Sequence, residues 1–98
     1  MNTLTPIDKT LLAILADSLV YCPTRYQSFI GSTKISHDSK NLDPFFKSIE
    51  THFKNKTDLN KIMCNLKCSE QPVDAQLYKL LLWAQERANY YPGEKAVL

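Results

Sequence analysis

The chain has 98 residues, a net charge of +2, 44% hydrophobic residues and only two glycines. That length suits one domain with its own core and no covalent staples. The composition, with few glycines and many Leu, Lys, Ala and Gln, favours helices over a turn-rich β sandwich, and the charge is too small to imply nucleic acid by itself.

Thr5-Pro6 opens a first helix: threonine can cap, proline suits the first helical position, and Asp8 complements the positive helix end. Ile7, Leu11, Ile14, Leu15, Ser18 and Cys22 recur on one side at helical spacing and form the expected core stripe. Leu12 and Leu19 widen it, so this helix is expected to be well buried, and Pro23 stops it. Asp8, Lys9 and Asp17 break the pattern of a secretory signal, and the apolar run is shorter than the about 20 residues a bilayer span needs. A soluble, cytoplasmic protein is expected, with no membrane partner.

Thr24 to Gln27 has the form of a capping box ahead of Tyr26, Phe29 and Ile30. A short helix ending at Gly31 is expected over residues 24–30, with a strand as the rival. Residues 32–42 are rich in Ser, Lys, Asp and Asn and read as the one long loop. Asp43-Pro44 then starts a third helix by the same logic, aspartate as the cap and proline after it, with a stripe of Phe45, Phe46, Ile49 and Phe53, and Lys47 and Glu50 are spaced to pair. Asn55 and Thr57 mark a break, Thr57 caps a fourth helix, and Leu59, Ile62, Met63 and Leu66 share its inner side. After a turn at residues 69–72, a fifth helix runs from Val73 to Tyr91. Pro92-Gly93 closes it, and residues 93–98 read as a frayed tail. The expected fold is all-α: a small single-domain bundle of four to five helices with one long loop at about residues 32–42.

The fifth helix carries the strongest signal. Leu80, Leu81, Leu82 and Trp83 stand in a row and point around a full turn, more than one packed face can cover. Val73, Leu77, Leu80, Leu81, Ala84, Ala88 and Tyr91 make its core stripe. Trp83 and Tyr90 lie at one edge of that stripe, with Arg87 beside them. Leu82 falls on the outward side with Lys79 and Glu86. Trp, Tyr and Arg are the side chains most enriched where partners bind. Lys79, Leu82, Trp83, Glu86, Arg87 and Tyr90 are therefore the candidate partner-binding residues. The competing view is that neighbouring helices bury this whole surface.

Other chemistry is weakly supported. Cys22, Cys64 and Cys68 are odd in number, which suits reduced, mostly buried thiols. Cys64 and Cys68 lie four apart, not at the Cys-x-x-Cys spacing of a zinc knuckle, so no metal or other cofactor is expected. Asn55-Lys56-Thr57 matches a glycosylation sequon, a chance match without secretion. His52 has Ser48 four residues away and His37 has Asp38 beside it, but neither spacing makes a catalytic triad. Lys34, Lys40, Lys47, Lys54, Lys56, Lys61 and Lys67 crowd the middle of the chain and suggest a modest basic face. No recognition helix with clustered Arg, Asn or Gln accompanies them.

The expected function is a non-enzymatic protein-binding module, a small inhibitor or adaptor, acting through the exposed face of the C-terminal helix. Inhibitors, immunity proteins and anti-defence proteins share this size and lack of motifs. The same face closing a homodimer is a variant of that reading. The alternative is a small nucleic-acid-binding regulator using the lysine-rich middle.

Overall fold

The computed structural model describes residues 4–56 and 58–90. Within them the chain forms five α-helices and no strand: α1 (Pro6–Tyr21), α2 (Tyr26–Ser36), α3 (Asp43–Phe53), α4 (Leu59–Cys68) and α5 (Pro72–Tyr90). Single turns of 3-10 helix, Pro23–Arg25 and Lys40–Leu42, lead into α2 and α3. The all-α bundle expected from the spacing is what forms.

The helix starts follow local chemistry. Thr5 caps α1 with a full capping box: its hydroxyl accepts from the Asp8 N–H at 3.1 Å, and Asp8 accepts from the Thr5 N–H at 3.0 Å. Cys22 ends α1 just ahead of Pro23. Asn55, with φ 60°, turns the chain between α3 and α4, a conformation asparagine tolerates better than most residues. Asp58 caps α4 by accepting from the Asn60 N–H; Thr57, the expected cap, lies outside the described residues.

Three expectations about the middle of the chain need correction. Thr24–Gln27 is not a capping box: Thr24 sits in the 3-10 turn and no side chain caps α2. Asp43 is the first residue of α3 rather than its cap. The long loop over residues 32–42 shrinks to residues 37–39, because α2 continues through Gly31 to Ser36. Gly31 adopts no positive φ, and two of its polar successors bond back into the helix. Thr33 donates to the Phe29 carbonyl at 2.9 Å and Ser36 to the Ser32 carbonyl at 3.1 Å, which removes the need for water.

One core runs through the bundle. Leu12, Leu15, Ala16 and Leu19 of α1 meet Ile30 of α2, the α3 stripe, Ile62, Met63 and Leu66 of α4, and Leu77, Leu81 and Ala84 of α5. The α3 and α4 stripes hold as expected, with Phe45, Phe46, Ile49 and Phe53 all buried. Tyr26 packs its ring on Phe53 at 6.1 Å between centroids.

The α1 stripe holds only in part: Leu15 is buried, with Leu12 and Leu19 that widen it. Ile7 is 60% and Ile14 55% exposed, and Leu11, Ser18 and Cys22 are only half-buried. The buried side of α1 is Asp8, Leu12, Leu15, Ala16 and Leu19, rotated toward α5 and α2. The chain offers two apolar stripes on this helix, and the bundle covers one.

α5 packs against α1, α3 and α4. No helix among the described residues is long and apolar enough to cross a membrane.

Candidate functional site

The apolar run on α5 is divided between two flanks. Leu81 is buried on the core side. Leu80 and Leu82, on either side of it, are half-buried and packed against the core. Leu82 is thus not part of an outward surface, which corrects its expected place beside Lys79 and Glu86. It sits 100° from Trp83 around the helix, far enough for the body of the protein to reach one and not the other.

Trp83 stays 42% exposed. The Arg87 guanidinium lies over its indole at 4.7 Å from the ring centroid, the one-turn spacing that stacks helix side chains. Arg87 also donates to Asp17 of α1 at 2.9 Å, so the pair ties α5 to α1 at the surface. Lys79 and Glu86 are exposed on the same outward side. The side chain of Tyr90, the last expected member, lies outside the described residues. Asp17 had no signal in the sequence, because its role depends on a partner 70 residues away.

Two buried carboxylates form the other polar features. Asp8 is fully buried. Beyond Thr5, it accepts from His37 Nε2 at 2.9 Å and Asn41 Nδ2 at 3.0 Å. The Thr5 N–H, then Asn41, Ser39 and His37, hold its carboxyl far below the usual carboxylate range, against the opposing effect of burial. Asp74, buried at the start of α5, accepts from Ser48 of α3, from Ser69 Oγ at 2.6 Å and from His52 Nε2 at 3.1 Å. Burial alone would raise its pKa, but the two hydroxyls and His52 together bring it below the ordinary value.

Ser48, His52 and Asp74 are the residue types of a hydrolase triad, but not its wiring. In a triad the histidine bridges hydroxyl and carboxylate. Here the carboxylate is the hub, and both hydroxyls donate to it rather than to His52. Each serine proton points at the carboxylate, so His52 is not placed as the base of either hydroxyl. The arrangement positions α3, α4 and α5 relative to one another. His37 likewise meets Asp8, not the neighbouring Asp38, and binds the end of α2 to the start of α1.

The expected basic face is dispersed. Lys34, Lys40, Lys47, Lys54, Lys56, Lys61 and Lys67 are all exposed, but they sit on four elements and a loop. Lys34 stacks over the Phe46 ring at 5.3 Å. Lys56 and Lys61 share an open depression of about 320 Å³ with Asn55 and Asp58, whose carboxylate offsets part of their charge. The three thiols are free, and Cys64 and Cys68 are exposed rather than buried, because Ile62, Met63 and Leu66 take the inner face of α4. Among the described residues no group of His, Cys, Asp and Glu side chains is placed to hold a metal.

Compared with protein-family models, with curated proteins and with solved structures, the chain matches none.

Proposed function

We propose that this chain is a non-enzymatic protein-binding module of the inhibitor or adaptor kind. It docks through the outward edge of α5 together with Asp17 of α1. Trp83 is the anchor, Arg87 fixes it, and Lys79 and Glu86 supply the polar rim. The single observation that supports this is the half-exposed indole under a guanidinium that Asp17 holds from the other helix. Such a ring is ordered before a partner arrives, so docking costs less side-chain entropy than fixing a free tryptophan. Trp and Arg at the middle of a patch, with charges at the rim, is the usual distribution of binding energy at protein interfaces. Three free thiols, two of them exposed, suit a reducing compartment such as the cytoplasm.

The test is affinity capture from the source cells with the intact chain as bait, followed by titration of the captured protein. Trp83→Ala is expected to weaken that complex by about 30-fold or more, the scale of a hot-spot truncation, with little change in melting temperature. An unchanged affinity would overturn the reading. Retention on immobilised DNA or RNA that falls steeply with salt, and that needs Lys56 and Lys61, would replace it with the nucleic-acid alternative.

A further inference from the structure

Among the described residues, the apolar side of α1 that faces away from the core has a regular form. Ile7, Leu11, Ile14, Ser18 and Tyr21 follow one another at steps of four, three, four and three residues. That alternation is the seam along which one helix packs lengthwise on another. Ile7 is 60%, Ile14 55% and Tyr21 41% exposed, and Leu11 and Ser18 are half-buried beside them. The seam is separate from the inward stripe of Leu12, Leu15, Ala16 and Leu19 that already serves the core.

We propose that this seam is a self-association surface, on which α1 of a second copy of the chain packs antiparallel about a two-fold axis at Ile14.

Several observations favour a second copy as the occupant. A two-fold interface must be complementary to itself. Ile7 and Tyr21 each lie seven residues from Ile14, so an axis at Ile14 sets Ile7 of one copy across from Tyr21 of the other. The seam also carries no formal charge. Asp17, at its flank, is already paired with Arg87 of its own chain, so juxtaposed copies bring no unpaired like charges together. Two hydroxyls along the seam are satisfied within the helix as well: Thr10 donates to the Pro6 carbonyl and Ser18 to the Ile14 carbonyl, each at 3.0 Å. Dehydrating them therefore orphans no donor. Antiparallel pairing also opposes the two helix dipoles.

Size sets the expected strength. A 16-residue helix is about 24 Å long. A single helix pair of that length covers less than the about 800 Å² per partner of a standard interface. Ile35, 89% exposed, stands at the same end of the molecule as Ile7, because His37 binds Asp8 there, and it adds apolar surface at that end. The dimer is therefore in reversible exchange with the monomer, with dissociation in the micromolar range or weaker.

Sedimentation equilibrium of the full chain, from about 1 µM to about 1 mM, tests this. The mass is expected to rise from 11.2 kDa toward twice that value. Ile14→Glu places two carboxylates on the axis and is expected to shift the transition to at least about ten-fold higher concentration, with the helical spectrum retained. A charge pair then tests the register. Ile7→Lys with Tyr21→Lys is expected to abolish pairing, whereas Ile7→Lys with Tyr21→Glu restores it, since each lysine then faces a carboxylate of the other copy. A chain monomeric up to the highest concentration overturns the proposal. So does a dimer that survives Ile14→Glu, or one that Trp83→Ala alone dissolves. Loss of pairing in both charge variants overturns the antiparallel register.

Discussion

α1 and α5 are the two helices most alike in sequence logic, and they end up differently. Each opens Pro-x-Asp, Pro6 to Asp8 and Pro72 to Asp74, and each of those aspartates is buried and takes a histidine from another part of the chain. Each carries apolar residues around more than half its girth. α5 is flanked by α1, α3 and α4, and among its described side chains the neighbours bury or half-bury every large apolar one except Trp83. α1 has α5 on one side and α2 on another, which leaves Ile7 and Ile14 more than half exposed and Tyr21 41% exposed. An apolar run thus says that a helix needs cover. How many neighbours it finds decides which residues go without, and here the larger uncovered surface lies on α1.

The sharpest way to break this comparison is to truncate matched positions on the two helices. Leu81→Ala, in the fully buried stripe of α5, is expected to cost about 2–5 kcal/mol in chemical denaturation. Ile14→Ala, also a large-to-small change in an apolar run, is expected to stay within about 0.5 kcal/mol for the monomer. Comparable losses at the two positions would mean that the α1 seam is covered by its own chain.

The two aspartates come next. Asp74→Ala leaves the buried Ser48 hydroxyl and the ring of His52 without their acceptor, and about 2–3 kcal/mol is expected on that account. Both carboxyls have folded pKa values below the about 3.9 of an unfolded aspartate. Their stabilisation is therefore complete above that value and is lost as the pH falls through the lower, folded values. Urea midpoints measured from pH 6 down to pH 2 should decline below about pH 4. The decline should be shallower in Asp8→Asn, which removes the group with the lower folded value. An identical decline in that variant would show that other carboxyls set the acid limit.

The smallest effects separate the flanks of α5. Leu82→Ala is expected to cost about 1–2 kcal/mol, since half its side chain is packed on the core. Trp83→Ala is expected to cost less than about 1 kcal/mol, mostly its stacking with Arg87. Reversal of that order would place the indole in the core and remove the anchor from the docking face.

The candidate site was only partly legible in the residue order. Trp83 and Arg87 could be placed together because helical spacing alone brings them one turn apart. Leu82 was misplaced by the same method: a helical wheel gives its direction but not what stands there, and the packed core reaches it. The pairings of Asp17, His37 and His52 could not be read from the sequence, because their partners Arg87, Asp8 and Asp74 lie 22 to 70 residues away. The polar stretch after Gly31 imitated a loop, since a serine or threonine that bonds back to its own helix looks the same in composition as one that bonds to water.

What the amino-acid order settled by itself is the set of helices, most of their ends, and the inner faces of α3 and α4. Those follow from the 3.6-residue repeat, caps and prolines, which act over a few residues. The tertiary structure alone decided which of two apolar stripes on α1 faces the core, that Leu82 is drawn inward while Trp83 is not, and that each buried aspartate finds its histidine. Those outcomes depend on which helices become neighbours, and spacing along one helix carries no record of what packs against it.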